Sequence, residues 1–213
     1  MILSDLLNDL KKLLPNGVNL LAVSKGHPSK SIRLLVDHGQ LEYGESRLQE
    51  ALPKTIDLSD MDDIRWHFIG RLQANKVRKV VQIFDFIHSV DSFSIAERIA
   101  RISREENRSP KVMLQVKFFE DPTKGGFSVS ELQEGWQHLT ELSNLNIIGL
   151  MTILPIGLDL DVRRKLFKDC RTFADELGLK DCSMGMSGDW QEAVDAGSTW
   201  IRVGSLLFGD RVK

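Results

Sequence analysis

Strand-like and helix-like segments alternate eight times along this chain, which constrains its fold more than any other feature. The strand candidates span residues 18–25, 41–45, 64–70, 84–90, 112–118, 146–153, 181–186 and 199–204. Several are continuous apolar or β-branched runs, the pattern of strands covered on both faces. Between them lie amphipathic stretches. In 92–107, Ile95, Ile99 and Ile102 recur at helical spacing, and in 159–178 Val162, Leu166, Phe173 and Leu177 do the same before Gly178, a helix stop. Eight such units within 213 residues predict an α/β fold, a (β/α)8 TIM-type barrel forming one domain over residues 1–213. An open doubly wound sheet is the alternative, but no Gly-x-Gly-x-x-Gly follows the first strand.

Charge and cysteine usage narrow the partners. Lys plus Arg number 28 against 30 Asp plus Glu, a formal charge of -2, so no nucleic-acid partner is expected. The opening segment MILSDLLNDLKKLLP is amphipathic, with no apolar core long enough for a secretory signal or membrane span. Cys170 and Cys182 lack metal-ligand spacing, which points to a reduced compartment and a cytoplasmic protein. A monomer is expected, with a dimer left open.

The polar residues collect at one end of the predicted units. Lys25, Glu45-Ser46, His67, His88-Ser89, Lys117, Met151-Thr152, Ser187 and Gly204-Ser205 all fall at or just past strand C-termini, the functional face of a βα-barrel. Near the C-terminus, 182–197 and 199–211 each place a glycine and a serine at a strand-to-helix junction. Two readings fit: a phosphate cup built from the last two junctions, or a pair of helix caps with Ser187 or Asp189 capping the first helix. Lys25 also has two readings, a strand-ending lysine reaching solvent or an amine that forms an imine with an aldehyde. His67 and His88 are ligand or acid–base candidates on one reading and hydrogen-bonded structural histidines on the other. Arg71, Lys76, Arg78 and Lys79 make a modest basic feature or a solvated helix, and Lys124-Gly125-Gly126 follows FFEDPT as a glycine loop. No nucleophile elbow, Walker loop or His-Glu-x-x-His helix is present.

Eight motifs in order carry a resemblance over nearly the whole chain: AVSK (22–25), YGESRLQE (43–50), WHFIGRLQANK (66–76), IHSVDS (87–92), LQVK (114–117), GLMTI (149–153), SMGMSGDWQEAV (183–194) and IRVGSLLFG (201–209). With these the sequence closely resembles the pyridoxal phosphate homeostasis protein family, also called the YggS/PROSC family. The resemblance implies an alanine racemase N-terminal-like barrel of the fold-type III pyridoxal-phosphate-binding group. It implies pyridoxal 5'-phosphate (PLP) as cofactor, with Lys25 holding it as an internal aldimine. Ser187, Gly204 and Ser205 match the phosphate-binding positions, and Arg202 the arginine beside the pyridine nitrogen. A cation there discourages protonation of that nitrogen and weakens the ring as an electron sink. Two departures stand out: Ser46, where the family commonly has asparagine, and Lys117, where it commonly has asparagine after Gln-Val.

The implied function is PLP binding in intracellular vitamin B6 homeostasis and amino-acid balance, without an established catalytic reaction. PLP-dependent apoenzymes or a regulatory protein are the implied protein partners. A PLP-dependent amino-acid racemase is the alternative. It needs a second acid–base group on the opposite face, and the only tyrosine, Tyr43, sits within the second strand candidate.

Overall fold

The computed structural model describes residues 3–121 and 124–209. Pro122 and Thr123 of the FFEDPT segment, and Asp210 and Arg211 of the last junction, lie outside the described residues. Eight parallel strands close into a barrel in sequence order: β1 Asn19–Val23, β2 Glu42–Glu45, β3 Arg65–Phe68, β4 Phe86–Val90, β5 Lys111–Gln115, β6 Asn146–Met151, β7 Asp181–Met186 and β8 Trp200–Val203. Closure is made by β8 on β1, with Leu21 opposite Arg202 and Ala22 opposite Val203. Every predicted strand is present, each within a few residues of its expected bounds, and no open edge remains for a doubly wound sheet.

The helices are α1 Leu3–Leu13, α2 Ser29–Val36, α3 Leu48–Asp57, α4 Val77–Ile83, α5 Phe93–Glu105, α6 Val129–Glu141, α7 Leu160–Glu176, α8 Trp190–Asp195 and the short α9 Ser205–Phe208. Their apolar faces pack on the outward residues of the strands in one large core that includes Ile32, Val80, Ile99 and Phe167. Of the α7 positions read as apolar, Leu166 and Phe173 are buried, whereas Val162 is exposed because it lies in the first turn, ahead of the contact with the barrel.

Successive strand residues face opposite sides, so a second set points inward. Leu21, Phe86, Met113, Met151 and Trp200 form the smaller apolar cluster inside the barrel. His67, His88, Ser183 and Arg202 are buried as well. His67 stacks flat on Phe86, centroids 4.1 Å apart, and lies 5.0 Å from Trp200. Both histidines therefore lie within strands, buried by the rings of neighbouring strands, rather than at the open mouth where sequence position alone placed them.

Candidate functional site

A cavity of about 880 Å³ opens where β1, β7 and β8 end. Lys25, Ser187, Arg202, Gly204 and Ser205 all line it. Three chain segments that are distant in sequence thus meet at one place, as the strand-end reading expects. Ser46 joins them, so that departure from the family pattern sits on the cavity wall, whereas Lys117 lines a separate surface depression with Phe119 and Glu120.

Lys25 is held by what surrounds its backbone. Ser24, immediately before it, is fully buried, and its hydroxyl donates to Glu45 Oε1 at 2.7 Å. Lys54 Nζ reaches from α3 to the same carboxylate oxygen at 2.6 Å and to the Ser24 carbonyl at 2.8 Å. Burial pushes the Glu45 carboxyl upward, and Lys54 and Ser24 only partly offset this. Gly26, just after Lys25, turns the chain out of the strand at φ 76°, a conformation open chiefly to glycine, and its N–H donates to Glu50 Oε2 at 3.0 Å. Lys25 itself is half-buried, its backbone fixed on both sides.

The opposite wall comes from β7 and β8. Gly185 has φ 92°, and a Cβ there would stand 2.6 Å from the Ala193 Cβ and 3.0 Å from the Trp190 Cα. Only glycine lets α8 lie this close to the strand, and the register of β7 on β8 shifts between Ser183 and Met186. This bend presents Ser187 to the cavity. Ser187 does not cap α8: its Oγ accepts from the backbone N–H groups of Gly204 and Leu206, each at 3.4 Å. Those bonds are long, so both N–H groups retain capacity for a stronger acceptor. Asp189 occupies the N-cap position of α8, but its carboxylate folds back to accept from Met186 N–H at 2.6 Å. The helix-cap reading of both residues is therefore corrected: one ties β7 to β8 and the other closes the turn after β7.

Arg202 forms the floor. Its Nη1 donates to the Ser183 carbonyl at 2.5 Å and the Ser183 hydroxyl at 2.8 Å, and its Nη2 donates to the Thr152 carbonyl at 2.8 Å. Burial lowers its pKa to about 10, which leaves it charged at neutral pH. Among the described residues no aspartate or glutamate lines the cavity. The polar lining is an amine, a guanidinium, the His27 imidazole, hydroxyls and backbone N–H groups, and Ile69, Ile153 and Met186 supply apolar walls. At Gly188 a Cβ would meet nothing within 4 Å, so the rim there is open. An aldehyde-bearing aromatic ring with a phosphate matches this combination in charge, polarity and size.

Tyr43 does not reach the site. It is fully buried, its hydroxyl donates to the Ile32 carbonyl at 3.2 Å, and burial pushes the phenol far above its ordinary pKa. Among the described residues no group of three or more His, Cys, Asp or Glu side chains can hold a metal ion, and no helix is long and apolar enough to cross a membrane.

The chain is also similar to known proteins. The family model for the alanine racemase N-terminal domain matches residues 3–212. The pyridoxal phosphate homeostasis protein of Synechocystis is 46% identical over 205 residues, covering 93% of this chain and 94% of that protein. The structure of PipY from Synechococcus elongatus without PLP superposes with a TM-score of 0.96 at 47% identity, covering 98% of this chain and all of that one. PipY with PLP bound gives 0.94 at 46% identity, again covering 98% of this chain and all of that one. The chain belongs to the pyridoxal phosphate homeostasis protein family, within the group that carries the alanine racemase N-terminal domain.

Proposed function

We propose that this protein binds pyridoxal 5'-phosphate and serves intracellular PLP homeostasis and amino-acid balance, with no established catalytic reaction. The observation that carries this reading is the convergence of Lys25, Ser187, Arg202, Gly204 and Ser205 on one cavity with no carboxylate among its described lining residues. The PLP-bound PipY relative supports it. The fold-type III barrel assignment belongs to the same proposal. So does a cytoplasmic location, which is supported by two buried, unbridged cysteines.

The residues divide the work by chemistry. The Lys25 amine, half-buried at the end of β1, would hold the cofactor through its aldehyde carbon. The hydroxyls of Ser187 and Ser205 and the N–H groups of Gly204 and Leu206 receive the phosphate, as charge-assisted bonds outmatch the long contacts they replace. Arg202, cationic and hydrogen-bonded only to neutral oxygens, disfavours a proton on the pyridine nitrogen. When bound, the cofactor supplies an electrophilic aldehyde and a conjugated ring. Racemisation is disfavoured as a second reading, because Tyr43 faces the α2 side of the barrel wall.

Equilibrium titration tests the phosphate cup. Loss of one or two charge-assisted hydrogen bonds, about 1.5–3 kcal/mol each, should make pyridoxal bind about 100-fold more weakly than its phosphate. Ser187→Ala and Ser205→Ala should each weaken retention by less, since backbone donors remain. Equal affinities for the two vitamers contradict the cup.

A further inference from the structure

The two histidines inside the barrel belong to a longer arrangement. Arg202 Nη1 lies 2.8 Å from Ser183 Oγ. Ser183 Oγ lies 2.8 Å from His88 Nδ1, and His88 Nε2 lies 2.8 Å from His67 Nδ1. His67 Nε2 then meets Glu42 Oε2 at 2.8 Å. Five residues on five strands thus form one unbroken line through the barrel interior. It begins beneath the cavity and ends at Glu42, the first residue of β2. Ser183, His88 and His67 are fully buried, and Phe86 and Trp200 pack against the His67 ring.

The two ends dictate every proton between them. A guanidinium only donates and an ionised carboxylate only accepts. Ser183 therefore accepts from Arg202 and donates its own proton to His88 Nδ1. His88 must then carry its proton on Nε2 and give it to His67 Nδ1, and His67 must carry its proton on Nε2 and give it to Glu42. Both rings are neutral and share one tautomer. Reversing the line requires either a protonated Glu42 or an imidazolium at His67; Arg65 opposes the first by donating from Nε to Glu42 Oε1 at 2.6 Å, and burial of the ring opposes the second. Burial acts to raise the Glu42 carboxyl, but the bonds from His67 and Arg65 outweigh it and hold the group below the ordinary range. Burial pushes both imidazoles below theirs, against Glu42 and Asp85 near His67 and together with the charge of Arg202 near His88.

We propose that Glu42, His67, His88 and Ser183 are positioning residues for Arg202: one polarised hydrogen-bond chain that holds the guanidinium at the cavity floor as a charged, donor-only group. Among the described residues Arg202 has no carboxylate in ion-pair contact, so this chain is its hydrogen-bonded link to an anion. The consequence for the cofactor rests on the PLP-binding reading, but the chain itself does not.

Long-range proton–nitrogen NMR on the cofactor-free protein tests the chain directly. The other three histidines are identified with the variants His27→Gln, His38→Gln and His138→Gln. His67 and His88 should each show a protonated Nε2 and an unprotonated Nδ1, unchanged from about pH 5.5 to 8, a window that brackets the ordinary histidine value. A proton on Nδ1 of either ring, or titration near that ordinary value, overturns the proposal without any variant having to fold. Glu42→Gln replaces an obligate acceptor by a group that also donates, so a second tautomer should appear at His67. The same change, far from the cavity, should raise the dissociation constant for pyridoxal phosphate about tenfold, the scale of one charge-assisted bond. Arg65→Gln, which leaves the carboxylate in place, should alter that constant much less. A changed tautomer with unchanged affinity overturns the positioning role. If the wild-type protein instead binds no pyridoxal phosphate while its histidine spectrum is as expected, it is the PLP-binding reading that fails.

Discussion

Lys54→Met should destabilise the protein by about 3–5 kcal/mol, the scale expected when one partner of a buried ion pair is removed. Glu45 is fully buried and Lys54 is 8% exposed, so solvent cannot take over the lost partner. Glu45 Oε2 already has no hydrogen-bond partner, so without Lys54 the carboxylate keeps only the Ser24 hydroxyl. Chemical denaturation of the single variant measures the loss. The double variant Lys54→Met/Glu45→Leu should recover most of it, because replacing a buried pair by apolar groups is often close to neutral. A single-variant loss within about 0.5 kcal/mol, as at an ordinary surface site, contradicts this account of the pair. The effect reaches the site, since the same pair anchors the hydroxyl and carbonyl of Ser24, beside Lys25.

Acidification from about pH 6.5 to about pH 5 should remove further stability through His67 and His88. Burial lowers both folded pKa values, so the unfolded chain takes up protons that the folded barrel refuses. Their contribution is fully present above the ordinary histidine value and is lost as pH falls through that value towards the folded ones. Glu45 acts in the opposite sense, because burial raises its folded pKa, and it offsets part of this loss. The net coupling is at most two protons, a slope of no more than about 2.7 kcal/mol per pH unit. Urea denaturation at a series of pH values gives that slope. A flat profile between pH 5 and 6.5 means that the two rings are not held neutral.

The barrel was legible because strands covered on both faces read as apolar runs, and its helices keep a single apolar stripe. Lys25, Ser187, Gly204 and Ser205 were legible as polar residues that end such runs. Side-chain pairing was not. Glu42 resembles any polar residue at the start of a strand, yet closure of the barrel brings it to His67, 25 residues on. His88 and Ser183 are 95 residues apart and face each other only because β4 and β7 enclose the same interior. A signal for Lys54 was present: it shares the buried stripe of α3 with Leu48 and Ala51, where a lysine needs a partner. The capping expectation at Ser187 and Asp189 failed because a helix cap and a strand-to-strand tie use the same residue types. Only the path of β8 distinguishes them.

Borohydride reduction of the protein with pyridoxal phosphate, followed by peptide mapping, tests the central claim most directly. Reduction fixes the carbon–nitrogen bond wherever the aldehyde has condensed. The account predicts one dominant pyridoxyl adduct, on the peptide containing Lys25, and its loss in Lys25→Ala even if some cofactor is still retained through its phosphate. A majority adduct on any other lysine, or none under conditions where the cofactor is bound, contradicts it.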